Sequence, residues 1–210
     1  MSYYGTIYKL FAPLVIRLWR IRGVGVENIP PDGAILAANH TAFSDVLVIS
    51  AAAGRQVRYM AKKELFATPL APLIRSLGAY PVDRGGADIG SIRQTLSLVE
   101  SGELVGIFPQ GHRRGGVDPR GTEIKPGVGM LAYHTKAPVV PVYLSNSRMK
   151  TGIFRRNTVT FGKPIPYEEL GFSRGGREEY KEASALIFER ICSLGDPPAQ
   201  GTADGGGESA

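Results

Sequence analysis

The sequence predicts an α/β fold, a single domain in which a largely parallel mixed sheet is flanked by helices. Short stretches of strand-like composition alternate with amphipathic, helix-like stretches, which is the pattern of strand–helix–strand units. The length of 210 residues suits one domain, and 43% hydrophobic against 21% charged residues suffices for a sizeable core. In such a sheet, functional groups are expected at the carboxyl ends of the strands.

The predicted elements follow one another from residue 33 to residue 193. Strands are predicted at 33–38, 57–60, 79–82, 104–108, 139–144 and 158–161. Helices are predicted at 42–53, 63–77, 89–101, 127–136 and 176–193. Because proline has no N–H for a ladder, the fifth strand should begin at Pro138 and be irregular near Pro141.

The N-terminal segment has a composition of its own. Residues 1–22 contain four basic and no acidic residues, and their aromatic and aliphatic side chains fall on one broad face of a helix that Pro13 should kink. The apolar run between Lys9 and Arg17 is seven residues long, too short to span a bilayer. Such a helix either packs on the domain surface or lies in a membrane interface. The aromatic residues and the purely basic polar side favour the interface.

Composition also limits the domain boundaries and the partners. The last residues lack large apolar side chains, so we predict a disordered tail at 195–210. The predicted folded domain then spans 25–194, and it follows an amphipathic membrane-interface helix at 1–24. The single cysteine, Cys192, excludes an internal disulfide and a cysteine-based metal cluster. The formal charge of +6 favours an anionic partner: nucleic acid, an anionic membrane or a phosphorylated substrate. Nucleic acid is the least favoured, because no recognition helix or aromatic stacking set is evident beyond the N-terminal segment.

The first candidate site follows the first predicted strand. Asn39 and His40 stand at the strand end, and Asp45 falls near the end of the first helical turn if Thr41 caps that helix. From there Asp45 could bind one imidazole nitrogen and leave the other free to take a proton, which makes a general-base dyad without a protein nucleophile. Ser44 lacks the glycine neighbours of an exposed nucleophilic serine. A structural histidine held by an aspartate is an equally good interpretation of this spacing alone.

Two further strands end in glycine and arginine. Gly78 precedes one strand, and Arg84 follows it beside two glycines. Another strand leads into Phe108, Pro109, Gln110, Gly111, His112 and Arg113. An arginine at a strand end can carry a guanidinium into an anion site, whereas a surface turn and a solvated loop are the alternatives. We expect His40, Arg84 and Arg113 to converge on one rim of the sheet.

Together with the Val-Pro-Val strand at Pro141, these segments resemble the lysophospholipid acyltransferase family, typified by 1-acyl-sn-glycerol-3-phosphate acyltransferases. The block Asn-His-x4-Asp matches Asn39, His40 and Asp45, and the glycine–arginine block matches Gly78 and Arg84. The block Phe-Pro-Glu-Gly-Thr-Arg is approached by residues 108–113, with Gln110 in place of glutamate and His112 in place of threonine. The four blocks stand in order over more than half of the chain.

The resemblance implies a function for each block. It implies that His40 is the base that deprotonates an acceptor hydroxyl, that Asp45 orients it, and that the hydroxyl attacks an acyl thioester of coenzyme A or acyl carrier protein. It also implies that Arg84 and Arg113 bind the acceptor phosphate, and that Gln110, Gly111 and His112 are further substrate-binding residues. No other cofactor and no metal are expected. The expected acceptor is 1-acyl-sn-glycerol-3-phosphate, giving phosphatidic acid.

Alternatives concern the acceptor and turnover. Gln110 and His112 leave open another lysolipid or glycolipid acceptor, or a membrane-binding homologue with impaired turnover. Members of the family are peripheral or integral membrane enzymes of phospholipid biosynthesis. The resemblance therefore implies a protein on the cytoplasmic face of the membrane, peripheral or monotopic, that contacts lipid through residues 1–22.

Overall fold

A seven-stranded sheet forms the centre of the molecule in the computed structural model, which describes residues 12–69, 71–82 and 89–196. The strands are β1 Ile21–Val24, β2 Ala34–Ala38, β3 Val57–Lys62, β4 Ala79–Val82, β5 Leu104–Ile107, β6 Val139–Ser145 and β7 Asn157–Phe161. Within these residues the α-helices are α1 Asp45–Ala53, α2 Ala71–Ser76, α3 Ile89–Glu100, α4 Gly127–Thr135 and α5 Arg177–Ser193. Residues 12–18 are also helical and are called the N-terminal helical segment.

The strand order β1-β7-β6-β2-β5-β3-β4 brings the ends of several strands to one edge. Strands β2 to β6 are parallel to one another, whereas β7 is antiparallel to β6 and β1 is parallel to β7. The carboxyl ends of β2 to β6 therefore share one edge, here called the carboxyl rim. Because Ile21 pairs with Asn157 and Ser145 pairs with Thr158, β1 and β7 begin at that same rim.

The core lies on both faces of the sheet, and β2 is buried throughout. One cluster packs Ile35 and Ala37 against side chains of α4 and α5, including Leu131 and Ile187. The other packs the alternate residues of β2 under α1. A strand covered on both faces reads as a continuous apolar run, as the segment Ala34–Ala38 does.

The predicted fold class is confirmed, and the six predicted strands are present with ends shifted by at most two residues. The strand β6 runs from Val139 through Pro141 without interruption, so the predicted irregularity there is wrong. Pro141 still accepts a hydrogen bond, from the N–H of Gly162 at 2.8 Å. The missing donor of one proline is therefore tolerated inside this strand.

Two predicted helices differ in the structure. The helix predicted at 42–53 begins at Asp45, because the carboxylate of that residue accepts the N–H groups of Thr41 and Ala42 and holds 42–44 in a turn. The helix predicted at 63–77 is divided into a 3-10 helix, Lys63–Ala67, and α2. Thr68, extended at φ −93° and ψ 162°, precedes Pro69 and separates the two, as expected for a residue before proline.

The ends of the domain also differ from the prediction. Residues 21–24, assigned to the amphipathic helix, form β1 instead, because Arg20 turns the chain at φ 45°. Residues 1–11 lie outside the described residues, so the interface helix remains a prediction. At the other end, Gly195 donates to the carbonyl of Cys192 and Asp196 forms an ion pair with Arg120. The predicted tail from residue 197 onward lies outside the described part of the chain.

Candidate active site

His40 and Asp45 form the centre of the candidate site. His40 follows β2 at the carboxyl rim, and Asp45, fully buried, is the first residue of α1. The imidazole Nδ1 lies 2.9 Å from Asp45 Oδ2. Since the carboxylate can only accept, Nδ1 carries the proton and donates it, which leaves the Nε2 lone pair free to take a proton. The predicted dyad is therefore formed in the structure.

The carboxylate of Asp45 is held by further donors from the preceding loop. Its Oδ2 accepts the N–H groups of Thr41 at 2.5 Å and Ala42 at 2.8 Å, and its Oδ1 accepts the Thr41 hydroxyl at 3.0 Å. The predicted cap by Thr41 is wrong, because the helix N-cap is Ser44, which makes no side-chain capping bond. Asp45 instead binds the loop that carries His40. Both carboxylate oxygens therefore have hydrogen-bond partners inside the protein.

An aromatic stack fixes the plane of the imidazole. The ring of Phe108, which follows β5, lies parallel to that of His40 with centroids 3.9 Å apart. Tyr59 of β3 stacks behind Phe108 at 5.7 Å. The stack limits rotation of His40, whose side chain is only 16% exposed.

Two buried amide side chains, those of Gln110 and Asn39, hold the backbone around His40. Gln110, only 1% exposed, accepts the backbone N–H of His40 with Oε1 at 2.7 Å and donates from Nε2 to the Thr122 hydroxyl at 2.7 Å. Both ends of its amide are thus engaged inside the protein, so Gln110 supports the backbone of His40. It also borders the narrow cavity beside His40, and its predicted part in substrate binding stays a prediction. Asn39 pairs with both backbone groups of Leu144 and joins the ends of β2 and β6.

A hydroxyl pair that the sequence analysis missed extends the dyad. Thr41 Oγ1 lies 2.9 Å from Thr151 Oγ1 and accepts the Thr151 N–H at 3.0 Å. Because the single Thr41 proton goes to Asp45, the Thr151 hydroxyl is the donor between the two. Thr151 lies 110 residues away from Thr41 on another loop, and nothing in its local sequence signals this contact.

The remaining motif residues shape the backbone or lie on the surface. Gly111 turns the chain at φ 71° and donates to the Phe108 carbonyl, and the carbonyl of buried Pro109 accepts the Lys125 N–H at 2.7 Å. Gly78 adopts φ 86°, where a β-carbon would lie 2.8 Å from the Gln56 amide nitrogen. His112 and Arg113 are exposed. Arg84 lies outside the described residues, so its predicted convergence on the rim stays a prediction.

Two openings flank the dyad. A narrow cavity of about 100 Å³ is bounded by His40, Gln110, Arg114, Tyr143 and Met149, among others. A wider one of about 460 Å³ is lined by Thr41, Ala42, Phe43, Arg113, Gly115 and Lys150. Neither Arg113 nor Lys150 forms an ion pair with a residue in the described part of the chain. The wider cavity therefore offers two positive charges beside the loop of His40, and Lys150 is a residue that the sequence analysis missed.

The narrow cavity has a neutral hydroxyl at its wall. Burial raises the pKa of Tyr143, and the nearby charge of Asp118 adds to the rise, so the phenol stays protonated. Among residues 12–69, 71–82 and 89–196, no group of three His, Cys, Asp or Glu side chains is placed to bind a metal ion. The arrangement is suited to proton transfer at Nε2 of His40 beside an anion-binding cavity.

Comparison with known proteins gives a consistent family. The profile of the family described as Acyltransferase matches residues 20–145. The chain is 32% identical over 197 residues to the 1-acyl-sn-glycerol-3-phosphate acyltransferase of Bacillus subtilis strain 168, covering 90% of this chain and 96% of that protein. The protein of the same name from Streptococcus pneumoniae is 29% identical over 168 residues, 75% of this chain and 61% of that protein. The crystal structure of the 1-acyl-sn-glycerophosphate acyltransferase PlsC from Thermotoga maritima has the same fold, with a TM-score of 0.65 and 21% identity over 94% of this chain and 85% of that one.

The hydroxyl pair predicts an order of stabilities. Replacing Thr151 by Val removes the donor to Thr41 and should lower the free energy of unfolding by about 1 kcal/mol, whereas Thr151→Ser should retain it. Thr41→Val should cost about 2 kcal/mol or more, because Asp45 loses a donor and the Thr151 N–H loses its acceptor inside the protein. Urea denaturation measures both values, with Thr160→Val on half-buried β7 as the matched control. Equal stabilities of all four variants would show that the pair contributes nothing to holding the dyad.

Proposed function

Because the chain belongs to the acyltransferase family, whose profile covers more than half of its residues, we propose that it moves an acyl chain from a thioester to the hydroxyl of a lysophospholipid. The observation that carries the proposal is the His40–Asp45 dyad beside a cavity with two cations. The expected acceptor is 1-acyl-sn-glycerol-3-phosphate, which the names of the relatives from Bacillus subtilis and Streptococcus pneumoniae support. The product is then phosphatidic acid.

The geometry supports a direct transfer with general-base catalysis. His40 Nε2 takes the proton of the acceptor hydroxyl as its oxygen attacks the thioester carbonyl. Asp45, bonded to Nδ1, stabilises the imidazolium that forms. The tetrahedral intermediate then collapses, the carbon–sulfur bond breaks, and the departing thiolate takes the proton back from Nε2. The histidine is thereby restored in one turnover without an acyl-enzyme.

The acceptor phosphate is assigned to the wider cavity. Arg113 supplies a planar set of hydrogen-bond donors and Lys150 a point charge. Both line the wider cavity, which is also lined by Thr41 and Ala42 of the loop between His40 and Asp45. A phosphate monoester bound there would hold the rest of a glycerol backbone next to His40. Arg84 remains a further candidate for the same phosphate on the basis of the sequence resemblance.

The donor is proposed to be a thioester of coenzyme A or of acyl carrier protein. Both donors are anionic, and the loop 111–118 at the rim carries Arg113 and Arg114 exposed to solvent. Such cations attract either donor by long-range steering. The nature of the thioester carrier does not alter the chemistry at His40, since the thiolate leaves in both cases.

We also propose that the protein works as a peripheral or monotopic protein on the cytoplasmic face of the membrane. The acceptor is a lipid, and the leaflet facing the cytoplasm presents anionic headgroups that attract basic segments such as residues 1–22. In the described part of that segment, Leu14 is 50% and Ile16 39% exposed. Among the described residues, no helix is long and apolar enough to cross a membrane.

The alternative of impaired turnover loses support. Because the Gln110 carbonyl accepts the His40 N–H, this side chain can perform the same bond that one oxygen of a glutamate would make. The substitution therefore leaves the dyad intact and gives no reason to expect impaired turnover. Gln110, which borders the narrow cavity, and exposed His112 still leave a different headgroup open.

The proposed chemistry predicts acyl transfer that depends on His40. Purified protein given acyl-CoA and a panel of lysophospholipids should release thiol fastest with lysophosphatidic acid. His40→Gln should lower kcat by about three orders of magnitude or more, because the proton acceptor is removed. The proposal fails if thiol release by the wild-type protein is no faster than that of His40→Gln with every acceptor and with acyl carrier protein as alternative donor.

The phosphate assignment predicts a separate effect on acceptor affinity. Arg113→Gln and Lys150→Gln should each lower kcat/KM for lysophosphatidic acid roughly tenfold, chiefly through KM, because each removes a charged hydrogen bond. A monoacylglycerol acceptor, which lacks the phosphate, should be unaffected by either change. Arg174→Gln, an exposed arginine before α5 at the far end of the sheet, is the control. Equal losses with both acceptors would refute the assignment.

A further inference from the structure

The loop between β6 and β7 has an unusual surface. This segment, residues 146–156, is called the β6–β7 loop; it contains four basic residues and no acidic residue. Three large apolar side chains stand exposed on it: Met149 at 45%, Ile153 at 47% and Phe154 at 73%. Phe154 is the most exposed large apolar side chain in the described part of the chain. A cluster of large apolar side chains on a water-facing surface is unfavourable, so the exposure of these three requires an explanation.

Two asparagines and a threonine hold the loop through bonds to the protein. Asn157, only 2% exposed at the start of β7, donates to the carbonyls of Gly152 and Arg155 at 2.9 Å and to that of Trp19. Asn146 bonds to the backbone of Lys150 in both directions. Thr151, buried, is tied to Thr41 of the dyad loop. The three apolar side chains therefore stand outward on a loop that is held from within, together with its exposed basic side chains.

Two of the exposed apolar residues have a costly backbone conformation. Met149 and Phe154 adopt φ values of 49° and 61°, in the left-handed region that bulky residues rarely occupy. This conformation is energetically unfavourable for a bulky residue, and such conformations concentrate at functional segments. Phe154 is held in place because its N–H donates to the carbonyl of Leu18 in the N-terminal helical segment at 2.7 Å. The loop is therefore joined to that segment at Phe154.

The exposed apolar side chains concentrate at the carboxyl rim. Of the ten large ones in the described part of the chain, only Val24 and Val26 lie at the opposite end of the sheet, after β1 has crossed it. The other eight follow strands that end at the rim or precede β1, which begins there: Leu14, Ile16, Phe43, Leu65, Val117, Met149, Ile153 and Phe154. The site of His40 therefore opens on the apolar end of the molecule.

We propose that the β6–β7 loop is a membrane-contact loop that inserts Ile153 and Phe154 into the interface of an anionic bilayer. Arg148, Arg155 and Arg156 would then meet lipid phosphates at the level of the headgroups. Aromatic and aliphatic side chains interleaved with cations and free of carboxylates are the composition that interfacial segments share. This contact lies in a different part of the chain from residues 1–22, and it does not depend on which acceptor the protein acylates.

Charge and spacing favour a bilayer over a protein partner. An acidic protein would pair with the arginines, but it would need an apolar groove to receive Ile153 and Phe154 between them. A bilayer interface accepts both kinds of side chain at neighbouring depths without such a groove. The contact would also place the wider cavity, with Lys150 of the same loop, beside the surface from which a lipid acceptor enters.

Vesicle binding by the full chain tests the proposal. Ile153→Ser/Phe154→Ser should weaken binding to mixed phosphatidylcholine–phosphatidylglycerol vesicles at least about tenfold in a sedimentation assay. Arg155→Gln/Arg156→Gln should weaken it by a similar factor, with no effect on binding to pure phosphatidylcholine vesicles. Val24→Ser/Val26→Ser, at the opposite end of the sheet, is the matched control and should bind as the wild type does. Unchanged binding by both loop variants would overturn the proposal.

A fluorescent variant gives a readout that does not require loss of binding. With the single native tryptophan removed by Trp19→Phe, Phe154→Trp should show a blue-shifted emission on anionic vesicles and quenching by brominated lipid. Val24→Trp in the same background should show neither. An unshifted Phe154→Trp emission on bound protein would overturn the proposal. So would loop variants that bind vesicles normally and change only in oligomeric state or in KM for acyl carrier protein, because a protein partner would then use this loop.

The outcome is separable from that of the proposed function. Turnover of a short-chain lysophosphatidic acid below its micelle concentration should be the same for the wild type and Ile153→Ser/Phe154→Ser, because that acceptor enters from water. If no acceptor is turned over by the wild type while the loop variants still lose vesicle binding, the membrane contact stands and the acyltransfer proposal fails. If the wild type turns over lysophosphatidic acid and the loop variants bind vesicles as the wild type does, the acyltransfer proposal stands and the membrane contact fails.

Discussion

The buried carboxylate of Asp45 is the interaction on which the site depends. A fully buried anion is costly unless donors surround it, and here the imidazole, two N–H groups and a hydroxyl do so. The same bonds that stabilise the charge fix the loop 40–42 and set the tautomer of His40. Removing any donor therefore disturbs both the backbone and the base, which is why folding and proton transfer are coupled at this position.

The sheet supplies the second constraint. Parallel strands β2, β5 and β6 end side by side, so their following residues meet without long connections. His40 comes from the first, while Phe108 and Gln110 come from the second, and Asn39 joins the first to the third through Leu144. The buried β2 is the rigid element from which the base projects. The β6–β7 loop adds Thr151 and Lys150 to the same end, so support and charge reach the dyad from a distant part of the chain.

Much of this arrangement could be predicted from the sequence, for identifiable reasons. The alternation of strand-like and helix-like segments predicts the fold, and the spacing of His40 and Asp45 predicts the dyad. Strand β1 was missed because it is four residues long and mostly exposed, and because non-glycine Arg20 makes the turn before it. Thr151 was missed because its importance arises from bonds to a residue 110 positions away. Lys150 was missed because the fold, and not its local sequence, places it at the cavity beside Thr41. The support that Gln110 gives to the His40 backbone could not be predicted, because a motif position does not reveal which partners a side chain binds.

The central claim is that Asp45 holds His40 as a neutral base with its proton on Nδ1. Nitrogen-15 NMR of the labelled imidazole measures this directly, since protonated and unprotonated ring nitrogens have different shifts. For the neutral imidazole, the bond to Asp45 predicts a protonated Nδ1 and an unprotonated Nε2 in the wild-type protein, and a mixture of tautomers in Asp45→Asn. A wild-type imidazole protonated on Nε2, or a tautomer unchanged by Asp45→Asn, would contradict it.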